Sequence, residues 1–482
     1  MGAARIRISH GCKGKVGGKV SHPATETLDV ESLIATWVAQ LCLKDVPQAA
    51  RTQAKACIAD GLGVMFAGSQ VEAFKQCATL QRPAGASAVV DSGAGIDAAT
   101  AALLNGVACH ALDFDDTCYA GIVHGTAVVL PAVLAVSQQL NVTGEKLLEG
   151  FIAGVECMYA LGLALTDSLY KRGFWSTGTL GVIGAAAGAA KVMNLDADGI
   201  ANAIRIAANV SIGLRVTHGS SGKPYLCGLA AKLGVEAAQA AAIGIQGNPG
   251  TLEGPRGFAS TLNGGLLRRE LIEALGTRYS LMDPGIAFKL RPLCSAAQAA
   301  IEATIALQSE HKFNSGEVLA ISCSGPPLVT SSLPYKLTIK PSEAQFSMSF
   351  AVACTLLHGD VLLEHLASDV LADERLCNLM ERVDLVEDAI RFPPSSAAAG
   401  PEASRVEIVL RDGRTFEKTV MAATGMPQRP ATTQQLQMKF MNCAMRVLGA
   451  LEAGELWNRV HRIEALERVR LLFQALLPNG RA

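Results

Sequence analysis

The feature that most constrains this chain is a set of apolar segments in which glycine and alanine recur every three to four residues. Thr177–Ala190 is the clearest case. It carries no charge before Lys191, and Gly181, Gly184 and Gly188 fall on one side of a helix. That spacing suits close packing of helices better than a phosphate loop. Helical patterns also cover Leu28–Leu43, where Asp29 can cap and Leu33, Ile34, Trp37, Val38 and Leu41 form a stripe. Others are Val46–Ala59, Ala98–Val107 behind the cap Asp97, Ala127–Gln139, Glu145–Ala164, Ala197–Leu214 and Leu229–Ile245. With 50% hydrophobic residues, 18% charged and only 5% aromatic, the composition fits tightly packed helices with small residues at their crossings.

The texture changes near residue 281. Alternating segments appear at Val318–Cys323, Tyr335–Lys340, Arg405–Leu410 and Thr415–Val420, and Arg411-Asp412-Gly413-Arg414 reads as a hairpin turn between the last two. Helical patterns lie among them at Ala296–Ser309 and Ser347–Leu356, and helix returns from Thr432. The expected fold is mostly α: a large helical domain (28–280 and 429–482) plus a smaller α+β domain (281–428). Residues 1–27 read as a flexible basic tail with Arg5, Arg7, Lys13, Lys15 and Lys19. They contain no apolar run of the secretory kind. A cytoplasmic protein is expected; the lack of an acid before Glu26 keeps a mitochondrial transit sequence as the alternative.

Several classes are disfavoured. A formal net charge of −1 supplies no field to draw the chain to nucleic acid or to a membrane surface. Leu147–Leu165 is apolar but contains Glu149 and Glu156, and Thr177–Ala190 falls short of the ~20 residues of a membrane span. The 13 cysteines never take C-x-x-C spacing, which argues against zinc fingers and clustered iron–sulfur ligands and for reduced, buried thiols.

Chemistry concentrates in Cys109-His110-Ala111-Leu112-Asp113-Phe114-Asp115-Asp116-Thr117 and in His124. If the preceding helix continues, His110, Asp113 and Thr117 share one face, a plausible acid/base surface, while Asp115 and Asp116 point elsewhere. The plainer alternative is a helix end with a satisfied core histidine. His124 stands just before a helix N-terminus, where an anion is favoured. Gly61-x-Gly63 has no strand before it, and Gly222-Lys223-Pro224 lacks both the spacing and the Ser/Thr of a Walker A loop. Lys223, before a helix of small residues, and Lys289, where the chain passes between domains, each read equally as a carboxylate holder or a solvated charge.

Taken together, these motifs resemble the MmgE/PrpD family. The matching pieces are Ile58–Gly63, Asn105–Thr117, His124 with Val129–Ala132, Gly178–Gly181, Gly222–Pro224 with Gly228–Ala231, Ala287–Lys289 with Pro292, and Glu343–Met348. The resemblance implies that the smaller α+β domain is a lid on the helical one, in a homodimer with no metal or organic cofactor, acting on a small carboxylic acid. Asp113, Thr117, His124, Lys223 and Lys289 match the family's pocket residues, and His110 matches a family histidine one turn before the aspartate. Three positions depart from the family's histidines: Trp175, expected to line the pocket, Leu226 and Gln298. These departures suggest related chemistry on a less polar substrate.

The expected activity is that of a lyase. It would dehydrate or decarboxylate a citrate-, aconitate- or alkylcitrate-like acid through an enolate-like intermediate. Lys223 and Lys289 would hold carboxylates, His124 would move the proton, Asp113 would orient it, and Thr117 would give a hydrogen bond. An isomerase or epimerase on a similar acid and an inactive binding protein are the alternatives.

Overall fold

The computed structural model describes residues 28–92, 95–165, 168–211, 213–393 and 401–476; the basic tail expected at 1–27 lies outside them. The glycine-rich segments form a bundle. Helix Gly144–Leu165 packs on helix Ser176–Val192 so closely that a Cβ on Gly184 would lie 2.7 Å from the carbonyl oxygen of Gly154. Gly144–Leu165 is long and apolar enough to cross a membrane, yet 94% of its most apolar window is buried inside the protein. Both expected caps form: Asp29 accepts from the Ser32 amide and Asp97 from the Thr100 amide.

Several helices run beyond their sequence patterns. Gln48–Gly68 carries Gly61 and Gly63 in its interior, and Gly125–Leu140 begins directly after His124. Helix Gly222–Ala242 starts seven residues before the pattern suggested, with Pro224 in its first turn. Lys223 is therefore a buried helical residue. Ala197–Asn209 stops short of Leu214.

A four-stranded sheet organises the second part. Its order is Val383–Glu387, Val318–Gly325, Ser404–Leu410, Thr415–Val420, with the first pair parallel and the others antiparallel. Tyr335–Lys340, expected as a strand, is a loop: Leu337 and Ile339 face solvent, so the apolar alternation does not give the segment a buried face. Val383–Glu387 takes the place at the sheet edge, mostly exposed, with Asp384 and Glu387 weakening its apolar signal.

The two parts have separate cores. One joins Val30–Phe288 to Phe440–Phe473, so the C-terminal helices pack on the bundle. The other runs from Leu293 to Leu410 and also takes in Leu112 and Phe114. The acidic motif thus lies at the seam, with its apolar residues sunk into the core of the α+β part. A short antiparallel pair, Thr117 with Ala287 and Cys118 with Ile286, ties the motif to the crossover segment that carries Lys289.

Candidate active site

Helix Ala98–His110 ends at its histidine instead of continuing through the motif. Asp113 takes a left-handed backbone (φ +46°), a region aspartate tolerates better than most residues, and the chain turns back. His110, Asp113 and Thr117 therefore do not share a helical face; Thr117 stands in the short strand Thr117–Cys118. The turn brings Asp115 onto His110, against the expectation that Asp115 points away. The Lys439 ammonium, 2.7 Å from an Asp60 oxygen, supports the turn from below by donating to the Phe114 carbonyl at 2.7 Å.

Helix Gly222–Ala242 crosses helix Ala98–His110 where Gly106 and Gly228 meet; a Cβ on Gly106 would sit 2.7 Å from the Gly228 Cα. This close approach carries Lys223 to the end of the first helix. Its ammonium donates to Asp113 Oδ1 at 2.5 Å and lies 2.7 Å from His110 Nε2. Lys289 reaches the same carboxylate from the crossover segment, donating to Asp113 Oδ2 at 3.0 Å and to the Asp113 carbonyl at 2.7 Å. Burial pushes the Asp113 carboxyl up, but the two ammonium groups outweigh it and hold it well below the usual carboxylate range. Burial alone would lower Lys289, yet the charges of Asp113 and Asp115 raise it.

The histidines form a second chain of contacts. His110 Nδ1 lies 2.9 Å from Asp115 Oδ2, so it donates there and presents Nε2 to Lys223. His124 Nδ1 lies 2.8 Å from the Asp116 carbonyl and 3.3 Å from both Asp115 Oδ2 and Thr117 Oγ1. A carbonyl only accepts, so the His124 proton sits on Nδ1 and Nε2 is the basic nitrogen. Burial holds His124 well below the usual imidazole range, despite the Asp115 charge. Asp115 thus takes the orienting place expected of Asp113.

His110, Asp115 and His124 also form a group that could hold a metal ion, with donor atoms within 4.8 Å of one another. The Lys223 ammonium on the far nitrogen of His110 sets a positive charge against a cation there.

These groups meet at a small cavity of ≈ 30 Å³. Asp113, Thr117, His124, Trp175 and Lys223 form one side of it; Cys294, Ser295, Phe346 and Glu402 come from the α+β part. His110 and Lys289 stand one layer behind. Ile122 is in the wall with φ +56°, an outlier for a β-branched residue that costs about 1–3 kcal/mol. An open cavity of ≈ 810 Å³ at the seam shares Ile122 and Tyr170 with the small one.

Sequence reasoning missed Asp115, His218 and Glu402. His218 lines the cavity as a half-buried imidazole lowered to about 4 by desolvation and the nearby Lys223 charge. Glu402 has no motif around it.

Residues 32–268 match the MmgE/PrpD N-terminal domain and residues 292–464 the MmgE/PrpD C-terminal domain. The chain belongs to the MmgE/PrpD family. Among its MmgE/PrpD relatives, mouse cis-aconitate decarboxylase is 27% identical over 441 residues, covering 88% of each chain. The cis-aconitate decarboxylase of Aspergillus terreus is 25% identical over 480 residues, covering 93% of this chain and 96% of its own. A cis-aconitate decarboxylase-like protein of Aspergillus oryzae is 24% identical, covering 90% and 95%.

The three positions at which the resemblance implies histidines, Trp175, Leu226 and Gln298, have different surroundings. Trp175 lines the cavity; its ring lies 5.3 Å from that of His110, and the Lys223 ammonium stands 5.3 Å from its centroid. Leu226 packs against the bundle core. Gln298 binds the backbone of Arg291 and Leu293, bracing the crossover segment. Of the three, Trp175 alone lines the cavity.

Proposed function

We propose that the protein is a lyase acting on a citrate- or aconitate-like polycarboxylic acid, by dehydration or decarboxylation through an enolate-like intermediate. The observation that carries this reading is the pairing of two ammonium groups with a basic imidazole around one buried carboxylate. An enolate beside a carboxylate needs positive charge to hold it and a group to move a proton. Lys223 lines the cavity and makes two of its three possible donations, so it retains an N–H for a substrate oxygen, while Lys289 behind it holds Asp113. His124 Nε2 is the base.

A cavity of ≈ 30 Å³ has room for only about two waters. The substrate therefore enters by opening of the seam, and closure around it excludes water from the charged groups. Lys223, Lys289 and His124 would serve as the charge-holding groups and the base.

The test is incubation of the purified protein with cis-aconitate, citrate and alkyl-substituted citrates in D2O. Net loss of CO2 or water supports the lyase reading; deuterium exchange without such loss replaces it with an isomerase, and binding without turnover with an inactive relative. His124→Ala is expected to abolish turnover and leave the unfolding midpoint unchanged, whereas a fully active variant removes His124 from the chemistry.

A further inference from the structure

His124 is neutral and carries its proton on the anchored nitrogen, which makes it a base and leaves the supply of a proton unassigned. The lysine ammoniums are held by Asp113, and the hydroxyls of Thr117 and Ser295 are too weakly acidic. Glu402 differs from all of these. It reaches the cavity from just before strand Ser404–Leu410, in the part of the molecule that does not carry His124. It is buried, with no cation in contact among the described residues. Tyr119 donates its hydroxyl to Oε2, and Ser295 donates to Oε1 at 3.2 Å. Tyr119 lines the open seam cavity, so the Tyr119–Glu402 pair stands between that cavity and the closed one.

We propose that Glu402 is the proton donor of the site, a carboxylic acid presented to the substrate by the α+β domain and positioned by Tyr119 and Ser295. The proposal rests on the lyase reading above. In a decarboxylation, the C–C bond to the departing CO2 breaks and its electron pair stays on carbon. The Glu402 O–H proton then forms the new C–H bond, and the carboxylate left behind is reprotonated from water when the seam opens. In a dehydration, His124 Nε2 takes the C–H proton and Glu402 gives its proton to the departing hydroxyl, which leaves as water. The imidazolium and carboxylate so formed neutralise each other by proton exchange through solvent.

Protonation supports this role. Burial pushes Glu402 up to about 7; the hydrogen bonds from Tyr119 and Ser295 and the Lys289 charge offset burial only in part, and Asp113 adds to it. The titratable and charged groups around Glu402 are Tyr119, Tyr170, Cys294, Lys289 and Asp113. An acid of that strength suits proton delivery near neutral pH.

The experiment uses the full chain, its E402Q and Y119F variants, and cis-aconitate and citrate as probes. E402Q keeps the shape and an acceptor. Infrared difference spectra between pH 5 and pH 9 are expected to show a carboxyl titrating near neutrality that E402Q lacks; no difference between the two proteins overturns the proposal, whatever the activity. Turnover is expected to fall roughly 100-fold or more in E402Q with KM changed less than about threefold. The alkaline limb of the rate profile disappears with it. In Y119F the loss of a hydrogen bond to the carboxylate raises the Glu402 pKa, so that limb moves to higher pH. E402Q with kcat within threefold of the parent, or a limb that does not move in Y119F, overturns the assignment. Absence of turnover by the intact protein instead overturns the lyase reading, and the donor with it.

Discussion

Asp113 and Asp115 on one side, and Asp116 on the other, are equally buried carboxyls within four residues, at 2%, 0% and 1% exposure. Their charge states are nonetheless opposite. Two ammonium groups hold Asp113 ionised, and burial of Asp115 is outweighed by His110 and His124. Among the described residues Asp116 has the Thr126 hydroxyl on Oδ2 and the Cys57 thiol but no cation against it, and burial, with the Asp60 and Asp115 charges, pushes it up to about 7. Burial sets the scale of these shifts; the partner sets the sign. The left-handed turn at Asp113 makes the division, because it delivers Asp113 to the lysines and Asp115 to the histidines. Asp116 stays behind in the bundle core.

Removal of a cation should break the comparison most strongly. Lys289→Met leaves Asp113 Oδ2 and the Asp113 carbonyl without their ammonium in a buried setting, which costs about 3–5 kcal/mol when one partner of such a pair is lost. Denaturant unfolding checks the figure. Adding Asp113→Asn to Lys289→Met should recover part of the loss, since the uncompensated charge is then gone. A single variant as stable as Lys336→Met, whose lysine is exposed, would mean that Asp113 does not depend on Lys289.

How much of this was legible follows the range of the interactions. Local chemistry was readable: Asp29 and Asp97 as caps, Gly181, Gly184 and Gly188 as a packing face, the turn at Arg411–Arg414 between its strands. Asp113, His124 and Lys223 were singled out by their place in the motifs that resemble the MmgE/PrpD family; on position alone Lys223 read equally as a solvated charge. The turn was not readable. Whether a helix continues past His110 depends on Leu112 and Phe114 entering the other core and on Lys289, 176 residues away, gripping the Asp113 carbonyl. The role of Asp115 follows from that turn. Glu402 was invisible for a different reason: a lone glutamate in Pro401-Glu402-Ala403 becomes a site residue only through contacts with Tyr119 and Ser295.

Asp115→Asn should have a middling effect. The amide can still accept from a histidine, but the charge that orients His110 and His124 is gone, and a hydrogen bond to a charged group contributes about 1.5–3 kcal/mol. Asp115 is held below its unfolded value, so its contribution is present above about pH 4 and fades as pH falls. The stability gap between variant and parent should therefore be widest near neutral pH and narrow in acid. Because the Asp115 charge raises His124, its removal should also move the acid limb of the rate profile to lower pH. A gap independent of pH would indicate that Asp115 contributes shape and not charge.

Asp116→Asn should have the smallest effect at low pH and the opposite sign at high pH. Thr126 can donate to the amide oxygen as it does to Oδ2, and the amide nitrogen takes the place beside the Cys57 thiol. The unfolded chain gives up the Asp116 proton near the ordinary carboxyl value of 3.8, but the folded protein keeps it to about 7. Stability from this group is thus whole below about pH 4 and is lost as pH rises through 7, by at most about 4 kcal/mol. Asparagine has no such proton to lose. At pH 4 the two proteins should unfold within about 1 kcal/mol of each other, the scale of one neutral hydrogen bond. At pH 8 the variant should be the more stable. If Asp116→Asn were instead destabilising at pH 8, Asp116 would be ionised like its neighbours, and some group other than the Thr126 hydroxyl would have to be holding its charge.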